Sequence, residues 1–324
     1  MRNCLAYLVL VPLAACGGVI RHQAAGTTAE ILAAAQPALE RENDYELASK
    51  AIPGALKTIE GFYVADEQPV LRAILSEGYC QYATAFVEDE WEIADFAGKI
   101  DEKTEQNLRA RKMFARCLNY ALQDLPGDFA KTIYGDPKVG AAKIAAIDAG
   151  LRTPLMWAGL GLGGVVQHNL SNTDAMSEID TVKAILARVV AIDTAQRGQI
   201  DGTKGAPCDA PCVVHLALPH VAFGLLYSTG GSQFGGDAKR ATEEFQTALR
   251  ISADPQHPDG RLLLARVMWG YKVGRMTNDR KLFHDQLVKV LETDPAIWPE
   301  ERLANEVAQR RARRYLSHEK EWFQ

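Results

Sequence analysis

The sequence predicts an all-α fold in which antiparallel helix pairs stack into a right-handed superhelical array. Three observations carry that expectation. Apolar residues recur at three- and four-residue steps along most of the chain. Alternating β-branched runs are scarce. The stretches 126–136, 199–211, 229–236 and 253–259 are rich in Gly, Pro and Asp, the residues that turns require. In chain order the helices are expected at 44–63, 68–97, 102–124, 137–149, 154–169, 175–193, 213–228, 237–252, 260–273, 278–292 and 298–321. Residues 17–40, small and Ala-rich with few charges, read as a tether that becomes helical toward its end.

The middle and later helices carry a degenerate tetratricopeptide pattern, W-x₂-L-G-x₂-Y on a first helix and A-x₃-F-x₂-A, then proline, on a second. Trp157, Leu160, Gly161 and Gly164 fit the first-helix spacing, as do His220, Phe223, Gly224 and Tyr227; Leu264, Val267, Met268 and Tyr271 fit more loosely. The second helices answer with Val182, Leu186 and Val189 before Thr194, Ala241, Phe245 and Ala248 before Pro255, and Phe283, Leu287 and Val290 before Pro295. Glycines such as Gly161 and Gly224 let helices approach closely, and large residues at three- and four-residue steps fill the groove between them. Long insertions at 194–212 and 229–236 remove any regular period, so these are tetratricopeptide-like hairpins rather than a strict repeat.

The N-terminus reads as a targeting segment. Arg2 supplies a positive start, Leu5 to Ala14 form an apolar run, and Ala14 and Ala15 lead into Cys16. A lasting membrane helix takes about 20 apolar residues, so this run is a secretory signal in layout. Leu13-Ala14-Ala15-Cys16 resembles the lipobox of bacterial lipoproteins, in which the cysteine thiol receives diacylglycerol and becomes the new N-terminus. Residues 1–15 are then a cleaved signal, 16–40 the lipidated N-terminus and tether, and 41–324 the helical repeat domain. Gly17, in place of an Asp, favours the outer membrane by analogy with known lipoproteins. No other segment is expected to approach membrane-spanning length.

Of six cysteines, Cys4 leaves with the signal and Cys16 is acylated. Cys80, Cys117, Cys208 and Cys212 remain, an even number suited to an oxidising compartment. Of three possible connectivities, Cys80–Cys117 across a helical hairpin with Cys208–Cys212 locally is favoured, and the others stay open.

Composition excludes more than it assigns. With 324 residues, 47% of them hydrophobic, the chain can bury a large core or a stack of repeats. A net charge of −5 leaves no basic surplus for phosphate backbones, which argues against nucleic-acid binding. The glycines of "MWAGLGLGG" lack the preceding strand of a dinucleotide fingerprint and read as helix-packing residues. Cys208, Cys212 and His215 lack the fourth ligand of a closed zinc site, so no metal and no cofactor is expected. In "GGSQFGGD", Gly235 and Gly236 permit a turn and Asp237 caps the following helix. No H-E-x-x-H, G-x-S-x-G or paired nucleophile and base occurs, and an enzyme is not expected. Two charge runs remain. Glu88, Asp89, Glu90 and Glu92 read as a solvated helix face. Arg310, Arg311, Arg313 and Arg314 lie late in a helix that opens with Glu300 and Glu301, which complements the helix dipole.

Four stretches together resemble the TRAP-transporter T-component lipoproteins, the TRAP-associated tetratricopeptide family. They are "IPGALKTIEGFYVADEQPVLRAILSEGYCQYATAFVEDEWEIA", "FGGDAKRATEEFQTAL", "NDRKLFHDQLVKVLETDP" and "LANEVAQRRARRYLSHEKEWF", and they span about 45–323. The resemblance implies a periplasm-facing lipoprotein, tending to homotrimers with a central opening. It implies a partner, the substrate-binding subunit of a tripartite ATP-independent periplasmic transporter, and a small organic ligand. The Cys208–Cys212 loop and the insertion "TAQRGQIDGTKGAPCDAPC" depart from a minimal member of the family. The alternative is a generic scaffold lipoprotein of the envelope, and transporter genes beside this one would favour the first reading. A hydrolase in the repeat concavity is a third reading, which a pocket of strongly perturbed carboxylates or histidines would revive.

Overall fold

The computed structural model describes residues 10–197, 208–229 and 236–323, with backbone alone for 10–20, 137, 173, 174 and 197. Every regular element among them is helical. In order these are α1 (Leu10–Glu40), α2 (Tyr45–Ala65), α3 (Pro69–Tyr82), a π turn (Ala83–Val87), α4 (Glu88–Phe96), α5 (Ile100–Gln123), α6 (Phe129–Ile133), α7 (Pro137–Ala145) and α8 (Arg152–Gln167). There follow α9 (Thr173–Ser177), α10 (Ile179–Arg197), α11 (Ala210–Tyr227), α12 (Ala238–Ile251), α13 (Leu263–Met268), a second π turn (Trp269–Val273) and α14 (Gly274–Thr277). The chain closes with α15 (Arg280–Glu292), two 3₁₀ turns (Pro295–Ile297 and Pro299–Glu301), α16 (Arg302–Ser317) and α17 (Glu319–Trp322).

Aspartates start many of these helices. Asp44 accepts from the Leu47 N–H, Asp136 from Lys138, Asp209 from Cys212, Asp237 from Lys239 and Arg240, and Asp279 from Leu282. Each satisfies a first-turn donor that has no partner within its own helix. Asp237 is thus the cap expected of it, whereas Gly235 lies outside the described residues. After α4, Gly98, with a φ of +67°, carries the chain toward α5 at little steric cost.

Two apolar cores organise the helices. The first gathers α2, α3, α5, α8 and α10 around Leu71, Leu75, Phe114, Leu118, Leu155 and Ile185. The second gathers α11 to α16 around Phe245, Leu263, Phe283, Leu287, Ala312 and Tyr315. Close neighbours in sequence pack together, α8 with α10, α11 with α12, and α15 with the second π turn. Two joints are closed by glycine. An added Cβ at Gly161 would meet the backbone N of Leu118 at 2.8 Å, and one at Gly224 would meet the Phe245 ring at 2.7 Å.

Three expectations need correction. The stretch read as a tether is helical to Glu40, and its part from Ala29 onward is docked: Ala29 is buried, with Leu32 and Ala33 packed on the first core. The long helices expected at 68–97 and 260–273 each contain a π turn, a one-residue insertion where regular α-helix was expected. α11 is long and apolar enough to cross a membrane, although no such second segment was expected. Part of its apolar surface is buried against protein, through Val214, Ala217, Val221 and Phe223.

Candidate functional site

The two charge runs meet. α4 brings Glu88, Asp89 and Glu92 against Arg310, Arg311 and Arg314 of α16, more than 200 residues later. Spacing explains how: Asp89 and Glu92 lie one turn apart on α4, as do Arg311 and Arg314 on α16, so each helix presents its charges on one face. Asp89, with no exposed side-chain surface, accepts from Arg310 Nε at 2.8 Å and Arg314 Nη1 at 2.6 Å. Arg314 Nη2 donates to Glu92 at 2.5 Å. Tyr315 donates its hydroxyl to the same carboxylate at 2.7 Å, and Tyr45 donates to Asp89 at 3.0 Å. The reading of "FVEDEWE" as a solvated face is therefore wrong for Asp89 and Glu92, which are buried, and only Glu90 is exposed. The basic run is not chiefly a dipole complement either. It is the other half of a clamp joining the two cores.

Arg311 sits deepest, 2% exposed. Its Nη2 donates to the Thr84 carbonyl in the first π turn at 2.5 Å, and Glu88, Asp89 and Glu92 all lie within 4.0 Å. Arg311 Nε and Arg314 Nε are buried without a hydrogen-bond partner, so the cluster is not fully satisfied. Burial alone would raise the Asp89 carboxyl, but Arg314, Arg311 and Arg310 outweigh it and hold the group below the ordinary aspartate range. Glu88 is likewise held down against burial, here by His168 at 3.0 Å and by Arg311. Burial and Glu92 push the Tyr315 hydroxyl far up, and Tyr271, stacked on it at 3.9 Å, is pushed up to about 12. Lys272 in the second π turn is lowered by burial despite Glu92 and Glu88 nearby.

Beside the clamp lies an opening of about 320 Å³ lined by Ile93, Arg310, Arg313 and Arg314. Arg310 stacks over the Tyr45 ring at 4.3 Å and Arg313 donates to Gln309. Guanidinium edges there can receive a carboxylate or another anion. Sequence reasoning missed Tyr45, His168 and Lys272, whose roles depend on distant partners.

A second cluster is acidic. Where the end of α1 meets α3, α11 and the last 3₁₀ turn, Glu301 is raised to about 8 by burial and then by Glu40, Glu77 and Glu300. Glu40 is raised too, by burial and Glu77, with His215 and Arg41 opposing. His215 sits 3.2 Å from Glu77.

The remaining residues singled out from the sequence are dispersed. Cys80 of α3 is bonded to Cys117 of α5, Cα atoms 5.3 Å apart, and Cys208 to Cys212 at the start of α11, 5.5 Å apart. Trp157, Gly161, Phe223, Gly224, Ala241, Phe245, Ala248, Phe283 and Leu287 are buried; Leu160 and Tyr227 are half-buried. These side chains fill the two cores and converge on no single site. His215 faces Glu77 and the edge of the Trp157 ring rather than a metal position. Among the described residues no group of three metal-ligating side chains comes together. Cys16 lies where only backbone is described, within α1.

Comparison with known sequences gives the assignment. A protein of Treponema pallidum (strain Nichols), described as an uncharacterized protein, is 25% identical over 296 residues, 87% of this chain and 81% of its own. The sequence profile described as "TRAP transporter T-component" matches residues 41–202 and 216–323, most of the chain and nearly all of both helical cores. Membership follows from that coverage: the chain belongs to the TRAP transporter T-component family.

Proposed function

We propose that this protein is a non-enzymatic, lipid-anchored accessory of a tripartite ATP-independent periplasmic transporter. It faces the periplasm from the outer membrane through Cys16, assembles as a homotrimer, and engages the transporter's substrate-binding subunit and, with it, a small organic ligand. Its helix pairs act as tetratricopeptide-like hairpins stacked in a right-handed superhelix, a form suited to holding a protein partner on one face. The observation that carries the reading is the family match across both cores. The leader ending in Leu13-Ala14-Ala15-Cys16 and the two disulfides support an exported, anchored chain.

The test is crosslinking in intact cells, purification of the protein and identification of what comes with it. Recovery of a solute-binding subunit supports the proposal; recovery of envelope-assembly proteins without one would sink it. Cys16→Ala is expected to release the protein into the soluble periplasmic fraction, and persistence in the membrane would overturn the anchor.

A further inference from the structure

We infer that the joint between α2 and α3 is a membrane-contacting surface that holds the protein against the bilayer in one orientation. The inference rests on the lipid anchor at Cys16 proposed above and adds a second point of contact.

The geometry starts from α1. His22 Nδ1 lies 2.9 Å from Asp66, the residue that ends α2, and Gln68 Nε2, just before α3, lies 3.1 Å from the same nitrogen. Gly26 lies against Gln68 one turn further along. This end of the molecule is therefore where α1 leaves the body toward its N-terminus. Cys16 is six residues before His22. As helix those residues cover about 9 Å, and fully extended no more than roughly 20 Å. In either case the acyl chains on Cys16 keep the α2–α3 joint beside the headgroups.

The same end exposes apolar side chains that protein does not cover. Val64 in the last turn of α2 is 79% exposed, Phe62 two residues earlier 43%, and Val70 in the first turn of α3 37%, with Pro69 exposed at the start of α3. Apolar side chains left exposed around one end of the molecule are available to an apolar surface laid against that end. The nearby charges are compatible with a lipid surface. Arg21 is exposed and adds positive charge beside Asp66, Asp66 is engaged by His22 and Gln68, Arg72 is bonded to Asp124, and Glu67 is an exposed acid of the turn. A surface of this kind seats its apolar side chains about 5–10 Å into the headgroup region. Of the occupants such a tip could have, the bilayer is the one the short connection to Cys16 places there. A single flexible anchor leaves a protein free to tumble, whereas anchor and tip together fix which faces look into the periplasm.

The test uses the full lipidated protein in vesicles of phosphatidylethanolamine and phosphatidylglycerol doped with a nitroxide-bearing phospholipid. A fluorophore is placed on Val64→Cys, or as control on Ile100→Cys. Ile100 is 76% exposed at the start of α5, whose other end is tied to α3 through Arg72 and Asp124. The control thus sits a helix length of about 36 Å away. Quenching several-fold stronger at position 64 than at 100, and weakened when Phe62→Glu is added, supports the contact. Equal or absent quenching at both positions, in protein that floats with the vesicles, overturns it while leaving the anchor standing. Protein that fails to float overturns both. A labelled tip that is shielded yet unquenched, with the protein crosslinking to a second copy or to another protein through position 64, also overturns it.

Discussion

Asp89 of α4 and Arg314 of α16 are joined by a 2.6 Å hydrogen bond across 225 residues of chain, and the carboxylate at its centre has no exposed surface. A buried ion pair adds little net stability over a well-packed apolar pair, because both charges must be stripped of water. Removing one partner is another matter, since it leaves the other charge uncompensated. Asp89→Asn is therefore expected to cost about 3–5 kcal/mol in chemical denaturation. Arg313→Ala, which removes a guanidinium that donates to Gln309 and to no acid among the described residues, should stay within about 0.5 kcal/mol. Equal effects of the two substitutions would show that the clamp does not join the cores. Acid should act in the same direction as Asp89→Asn. The folded Asp89 carboxyl lies below its unfolded value near 3.8, so its contribution is full above that value and lost as pH falls through the folded one.

Glu301 has the opposite sign. Its carboxyl is raised to about 8 from 4.5, so between those values the folded state binds more protons than the unfolded state. Stability from this group is full below pH 4.5 and is lost as pH rises toward 8. Glu301→Gln removes the titration. The variant should melt like the parent at pH 5 and about 2–4 °C higher at pH 9, taking roughly 1 kcal/mol for a partly screened group. Scanning calorimetry at the two pH values reads it. A gain that is the same at both would mean that Glu301 is not held neutral by Glu40, Glu77 and Glu300.

The all-helical class was legible in apolar spacing and turn chemistry, because those are local properties. Asp237 as a cap was legible for the same reason. The charge clamp was not. Glu88, Asp89 and Glu92 have the spacing of one helical face, but whether that face meets water or protein is decided by α16, which no local window contains. The available signal was complementarity: the acids at 88, 89 and 92 are matched by the arginines at 310, 311 and 314 at the same helical spacing. The π turns were not legible either, since each inserts a single residue into an otherwise continuous helix. The docking of α1 was hidden by composition, because a stretch rich in Ala and Gly looks alike whether it packs closely or is left free.

Close helix approach gives a third expectation. At Gly161 the nearest neighbour of an added Cβ is the backbone of Leu118 on α5, at 2.8 Å, which cannot rotate away as a side chain can. Gly161→Ala should force α5 and α8 apart and cost about 1–3 kcal/mol as overpacking. Gly163 has only the Val182 side chain at 3.5 Å, ordinary contact, so Gly163→Ala should be neutral or slightly stabilising as a better helix former. Paired thermal melts of the two variants check this. A larger loss from Gly163→Ala would contradict the packing.

The two disulfides should differ in worth and in reach. Cys80–Cys117 closes a separation of 37 residues, and loop-closure entropy makes that about 4 kcal/mol, against about 2 kcal/mol for the four-residue separation of Cys208–Cys212. Alanine at both members of a pair is the suitable replacement, since serine at buried Cys117 would add an unsatisfied hydroxyl. Cys80 and Cys117 are buried between α3 and α5, whereas Cys208 and Cys212 are half-buried at the start of α11. Mild reductant applied to the folded protein should therefore open Cys208–Cys212 first, with a small fall in Tm. Cys80–Cys117 should yield only on unfolding, after which refolding under reducing conditions gives a much less stable protein. Mass spectrometry of alkylated thiols against time reads the order directly, and simultaneous labelling of all four cysteines in native buffer would refute it.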